Sequence, residues 1–149
     1  MITLKVSQRV QKSLFAGISL SLVTGIAFFI LKTWITVEGD FGLEKHPWQF
    51  PILKVHAASA FFIMIMFGAF LGSHVQYGWR TGRSRRTGII MLIVLSIQIV
   101  TAYMLYYLSN ESLRLVTEYV HLAVGASIVL ALVVHIKAAL RAKRRQLHG

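Results

Sequence analysis

Long apolar stretches separated by short polar ones dominate the chain. Four of them are long enough for a helix to cross a bilayer core, which takes about 20 mainly apolar residues. They cover about residues 13–37, 51–77, 87–108 and 115–136. The pattern predicts an all-α membrane protein, a four-helix transmembrane bundle that forms one domain over residues 1–149. The first stretch is too long for the apolar core of a signal peptide, so we expect it to be retained.

Composition indicates that lipid covers much of this bundle. Hydrophobic residues make up 56% of the chain and charged residues 14%, whereas soluble domains carry about 25% charged residues. The chain has no cysteine, which excludes disulfides and thiolate metal sites.

The charges predict an orientation. The net charge is +11, and three stretches on one side of the bundle hold most cations: Lys5, Arg9, Lys12, Arg80, Arg83, Arg85, Arg86, Lys137, Arg141, Lys143, Arg144 and Arg145. All five acids lie on the other side: Glu38, Asp40, Glu44, Glu111 and Glu118. The positive-inside rule then places both termini in the cytoplasm and the chain in the cytoplasmic (inner) membrane. This topology explains the charge without nucleic acid, for which no binding motif is present.

Four histidines lie inside the predicted spans, where an imidazole tends to face the bundle interior and to be functional. His56 and His74 are 18 residues apart on the second span, which is five full α-helical turns. His121 and His135 are 14 residues apart on the fourth and also share a face. Because these two spans run in the same direction, His56 can meet His121 near the outer side and His74 can meet His135 near the inner side.

Two imidazoles on facing helices are the axial ligands that a six-coordinate haem iron needs. A small residue lies one turn inward from each outer histidine, Ala60 after His56 and Gly125 after His121, which leaves room for a flat macrocycle. The pattern therefore predicts two b-type haems. They would be held without covalent attachment, since the chain has no cysteine.

On these residues the chain resembles the four-helix dihaem membrane cytochromes b, the subunits of quinol-linked respiratory oxidoreductases. The 14-residue spacing of His121 and His135 is similar to the fourth-helix pair of that superfamily. The family's second-helix pair is usually spaced by about 14 as well, whereas His56 and His74 are 18 apart. The two separations are roughly 27 Å and 21 Å, and the difference must be absorbed by tilt, a bulge or slanted haems.

The resemblance implies electron transfer between quinone and a partner redox subunit. Candidate cations for the haem propionates are Lys54 and Arg114 on the outer side and Arg80, Arg83 and Lys137 on the inner side. Glu118 and His46 are the outer candidates for a quinone site. The acidic outer face suits a basic partner such as a c-type cytochrome.

Other functions remain open from the sequence. The span histidines would also suit a haem-free transporter or metal carrier, and Glu118 could join an outer metal site with His121. A structural anchor would use them only for hydrogen bonds between helices. A stand-alone quinone-linked oxidoreductase would keep the haems and act on a small outer substrate.

Overall fold

The computed structural model describes residues 7–82 and 84–147 and is almost entirely helical. In chain order it contains α1 (Gln8–Trp34), β1 (Thr36–Gly39), β2 (Gly42–Lys45), α2 (Gln49–Phe70), a π-helical turn (Leu71–Val75), α3 (Gln76–Thr81), α4 (Arg85–Tyr107) and α5 (Glu111–Leu147). Four helical stretches are long and apolar enough to cross a membrane: Gln8–Trp34, Gln49–Thr81, Arg85–Tyr107 and Glu111–Ala142. The chain therefore has the architecture of a multi-pass membrane protein.

Several helix ends differ from the predicted spans, and two of these differences have a clear physical reason. The first span was predicted to continue to residue 37, but α1 ends at Trp34 and Thr36 begins a β-strand. The β-branched pair Thr36 and Val37 favours extended backbone, and a tight turn before Gly42, at a φ of +115°, folds the chain back. The fourth span was predicted to end near residue 136, whereas α5 continues to Leu147 through good helix formers.

The chain divides into two compact units, residues 7–68 and 69–147 within its described part. The first unit contains α1, the hairpin and α2. Gly17 of α1 allows close packing there, because a Cβ on it would lie 2.8 Å from a ring carbon of Phe62. The Gln49 side chain donates to the Leu31 carbonyl at 3.0 Å. The prediction of one domain over residues 1–149 stays a prediction.

The second unit contains the π-helical turn, α3, α4 and α5, and its main packing is that of α4 against α5. Small polar residues are buried along these helices: Thr101 on α4 and Thr117 on α5 are each 6% exposed. Many large apolar side chains on the same helices are exposed. Small residues at helix contacts and apolar ones outside are typical of membrane helices.

Candidate functional site

The four span histidines lie on helical segments that differ in kind. His56 is on α2, and His121 and His135 are on α5, whereas His74 is within the π-helical turn. His46 lies before α2, where its Nδ1 accepts a hydrogen bond from the Trp48 backbone N–H at 3.2 Å. His148 lies outside the described residues. Three of the span imidazoles therefore lie on regular α-helix, and His74 lies on irregular helix.

His74 and His135 meet within the second unit. Their ring centres are 6.1 Å apart and their planes are inclined by 80°. When two imidazoles bind one metal from opposite sides, the metal–nitrogen bond is about 2 Å and the ring centre lies about 1 Å beyond the nitrogen. The two ring centres are then about 6 Å apart. The ring separation has the length that a metal between two imidazoles requires, and it also lies in the range of an edge-to-face ring contact. Phe70 stands beside His74, with ring centres 5.8 Å apart, and supplies an apolar neighbour.

The Thr87 hydroxyl on α4 lies beside His135. Its oxygen is 3.1 Å from the Ser84 carbonyl and 3.0 Å from His135 Nδ1. When this hydroxyl donates to the carbonyl, its oxygen accepts from the His135 Nδ1–H, and the lone pair of the imidazole is then on Nε2, one of the two nitrogens through which histidine binds a metal.

His121 repeats this arrangement on α4 with Thr101. The Thr101 hydroxyl donates to the Ile97 carbonyl at 2.9 Å, so it accepts from His121 Nδ1, also at 2.9 Å. Here, however, the amide nitrogen of Gln98 lies 3.0 Å from His121 Nε2 and donates to it. Coordination of a metal by this nitrogen requires the Gln98 side chain to turn away.

Gln98 has a buried polar atom with no partner in the described part of the chain, its amide oxygen. Gly125 lies directly beside it, because a Cβ on Gly125 would be 3.0 Å from the amide nitrogen of Gln98. Gly125 was predicted to leave room for a macrocycle, and in this structure the amide of Gln98 stands beside it.

His56 lies in the other unit and is held by α1. Its Nδ1 is 2.9 Å from the Ser21 carbonyl and 3.4 Å from the Thr24 hydroxyl, which itself donates to the Leu20 carbonyl. Both neighbours act as acceptors, so Nδ1 again carries the proton. Gly25 allows this approach, since a Cβ there would lie 2.9 Å from His56 Cε1. Because His56 and His121 belong to different units, their pairing stays a prediction.

Sequence reasoning missed these Nδ1 acceptors. The signal that could have found them is a threonine on the neighbouring span: Thr24 for His56, Thr87 for His135 and Thr101 for His121. A mid-helix threonine usually donates to the carbonyl three or four residues earlier on its own helix, which leaves its oxygen as an acceptor for a neighbouring helix.

The π-helical turn at Leu71–Val75 affects the predicted spacing of His56 and His74. A π turn takes one residue more than an α turn, so it shifts the helical register of the residues after it by up to about 100° and shortens the rise. The α-helical count of five full turns therefore does not hold across this segment. A bulge was one of three ways, with tilt and slanted haems, in which the unequal histidine spacings were expected to be absorbed.

For the remaining predicted site residues, the structure shows mainly how exposed each side chain is. Lys54 is exposed, with its ammonium 4.4 Å from the centre of the Phe50 ring. Arg114, Arg80 and Lys137 are exposed, whereas Ala60 and Glu118 are half-buried. Arg83 lies outside the described residues. His46 and Glu118 belong to different units, so their shared quinone site stays a prediction.

The predicted haem at the His74–His135 pair makes Thr87 a test position. If the pair holds a haem, Thr87→Val is expected to weaken its retention by about 10- to 100-fold, the usual effect of losing a partner that orients a metal-bound histidine. Valine keeps the shape and removes the acceptor for His135 Nδ1. Thr87→Ser should restore retention. Thr117→Val is the matched control, because the Thr117 hydroxyl bonds only the Leu113 carbonyl among the contacts described for it. Haem loss to apomyoglobin measures the effect, and equal loss from all three variants would contradict the assignment.

The chain matches no protein-family model, no curated protein and no solved structure. The described residues also contain no group of three or more histidines, cysteines or acids arranged to hold a metal ion. The geometry of the span histidines is therefore the basis of the function proposed below.

Proposed function

We propose that the chain is a dihaem cytochrome b that carries electrons across or within the membrane, between quinone or quinol and a partner redox subunit. The observation that carries this proposal is the His74–His135 pair, with ring centres 6.1 Å apart and the Thr87 hydroxyl 3.0 Å from His135 Nδ1. A bare divalent metal would find only two protein ligands in this pair. A haem supplies the four equatorial nitrogens itself and needs only these two.

At the inner site, His74 and His135 would serve as the axial ligands. Haem bound between them supplies a one-electron carrier in an apolar setting. Thr87 would keep the His135 ring in one orientation, and Phe70 would exclude water from the side of His74. Arg80 and Lys137 belong to the same unit as this pair and are its candidate partners for propionate charge.

At the outer site, His56 and His121 would be the ligands. Each has its Nδ1 proton held by a neighbouring helix, which supports metal ligation through Nε2. The amide of Gln98 must leave His121 Nε2 before that nitrogen can coordinate, so the outer site requires one side-chain rearrangement. Gly25 leaves room for the His56 imidazole, whereas the Gln98 amide lies beside Gly125.

The Gln98–His121 hydrogen bond also supports a second candidate function. With both ring nitrogens of His121 bonded to α4, this histidine could serve only to join two helices. The chain would then be a structural anchor, or a transporter or metal carrier that uses its other histidines. A reduced-minus-oxidised visible spectrum of the purified chain separates these functions. A cytochrome b gives the sharp α-band of a low-spin haem, whereas an anchor or a haem-free carrier gives none.

We propose the N-in, C-in orientation on the basis of charge. In the second unit, the end formed by α3, the start of α4 and the end of α5 holds Arg80, Arg85, Arg86, Lys137, Arg141 and Arg144, whereas Glu111 and Glu118 lie at the start of α5. Cysteines introduced in the cysteine-free chain near Arg86 and Arg144 should resist a membrane-impermeant maleimide applied from outside. Cysteines near Asp40 and Asn110 should react with it. The reverse pattern would contradict the orientation.

Quinone exchange is expected on the outer side, where Glu118 and His46 are the candidates for accepting a quinol proton. The acids Glu38, Asp40 and Glu44 lie on or between the hairpin strands. They give that segment the charge expected of a docking surface for a basic redox protein such as a c-type cytochrome. If Glu118→Gln slows the reduction of the haems by quinol, this part of the proposal is supported.

A further inference from the structure

The end of α5 presents three exposed cations on one helical face. Lys137, Arg141 and Arg144 are spaced by four and three residues, so they follow one another along that face. Together with Leu140 they line an open groove of about 180 Å³. None of the three has a carboxylate partner within the described part of the chain, and the nearest acid along α5 is Glu118.

The position of this groove along the helix corresponds to the membrane surface. Residues 119–136 contain no Asp, Glu, Lys or Arg, and as a helix they cover about 27 Å, close to the thickness of a bilayer core of about 30 Å. Lys137 is the first charged residue after this apolar run. A span that begins near residue 119 therefore places Lys137 and Arg141 at the level of the lipid headgroups.

The chemistry of the groove is that of an anion site with an apolar wall. Arginine offers forked N–H donors that match phosphate oxygens, and lysine adds a point charge. Leu140 is 56% exposed between the cations and can contact the glycerol and upper acyl carbons of a lipid.

We propose that Lys137, Arg141, Arg144 and Leu140 form a binding site for the phosphodiester headgroup of an anionic phospholipid. The site shares Lys137 with the proposed inner haem, where this lysine is a candidate partner for a propionate, but its other three residues take no part in haem binding. In the proposed orientation it faces the cytoplasmic leaflet, which carries the anionic lipid.

Native mass spectrometry of the full chain in detergent, with phosphatidylglycerol or phosphatidylcholine added, tests the proposal. Each cation near an anionic surface contributes a factor of about five in affinity. The combined variant K137Q/R141Q/R144Q is therefore expected to lose the preference for phosphatidylglycerol by about 100-fold. Leu140→Ser should weaken retention of the lipid while leaving the charge unchanged. Circular dichroism shows whether each variant keeps its helices.

A matched control removes three exposed cations elsewhere on the same predicted side, in the combined variant R9Q/K12Q/R86Q. It should retain the preference of the unaltered chain for phosphatidylglycerol. Equal loss in both combined variants would overturn the proposal, because it would show diffuse attraction rather than a site. Binding of inorganic phosphate as tight as that of phosphatidylglycerol would overturn it as well, since the groove would then take free phosphate rather than a lipid.

Discussion

Replacement of His135 with alanine is expected to lower the haem content from two per chain to one, because a bis-histidine haem that loses an axial ligand is no longer held. His74→Ala should have the same effect, since the two rings stand 6.1 Å apart and would share one iron. The remaining spectrum should be that of the outer haem alone. Haem assay of protein purified from cells supplied with a haem precursor measures the change.

His46→Ala is the matched control for these two variants, because His46 lies outside the helices and is not a predicted haem ligand. It should leave the haem content unchanged. A haem content unaffected by both His74→Ala and His135→Ala would remove the inner site from the proposal. His74 and His135 would then only pack together within their unit.

Gly25→Ala is expected to displace the outer haem and to destabilise the packing of α1 on α2 by about 1–3 kcal/mol, as overfilled contacts usually do. A Cβ at this position would lie 2.9 Å from His56 Cε1 and 3.2 Å from its Nδ1. The imidazole must therefore move, and it then loses its hydrogen bond to the Ser21 carbonyl. The haem content and the thermal unfolding temperature in detergent are the two readouts.

Gly68→Ala is the control that the chain offers for this prediction. It is another helical glycine of the same unit, but a Cβ there would have no neighbour within 4 Å. It should leave the haem content unchanged and should not lower the unfolding temperature. If Gly25→Ala behaves like Gly68→Ala, the close approach of α1 to His56 has no part in the function.

The four helices could be predicted from sequence because hydrophobicity over about 20 residues is a strong, local signal. Irregular segments were harder to predict. The end of α1 at Trp34 depends on a short hairpin, and Thr36 and Val37 are apolar enough to have been counted with the helix. The π-helical turn at Leu71–Val75 depends on local backbone hydrogen bonding, and the Ser73 hydroxyl within it donates to the Ala69 carbonyl. Hydrophobic periodicity does not report either feature.

The candidate site was predictable to the level of its histidines and no further. Helical spacing shows which residues share a face, and it singled out His74 and His135. It does not show which side chains of neighbouring helices approach them. The partners Thr87, Thr101 and Gln98 come from α4, and their roles depend on the packing of α4 against α5. The presence of Gln98 at His121 Nε2 is therefore a finding of the structure alone.

The ratio of haem to chain tests the central claim most directly. It is measured on purified full-length protein by the pyridine haemochrome assay together with quantitative amino-acid analysis. The proposal predicts two haems per chain, with one lost in His135→Ala. A chain that is inserted, folded and free of haem after expression in haem-sufficient cells would contradict the proposal.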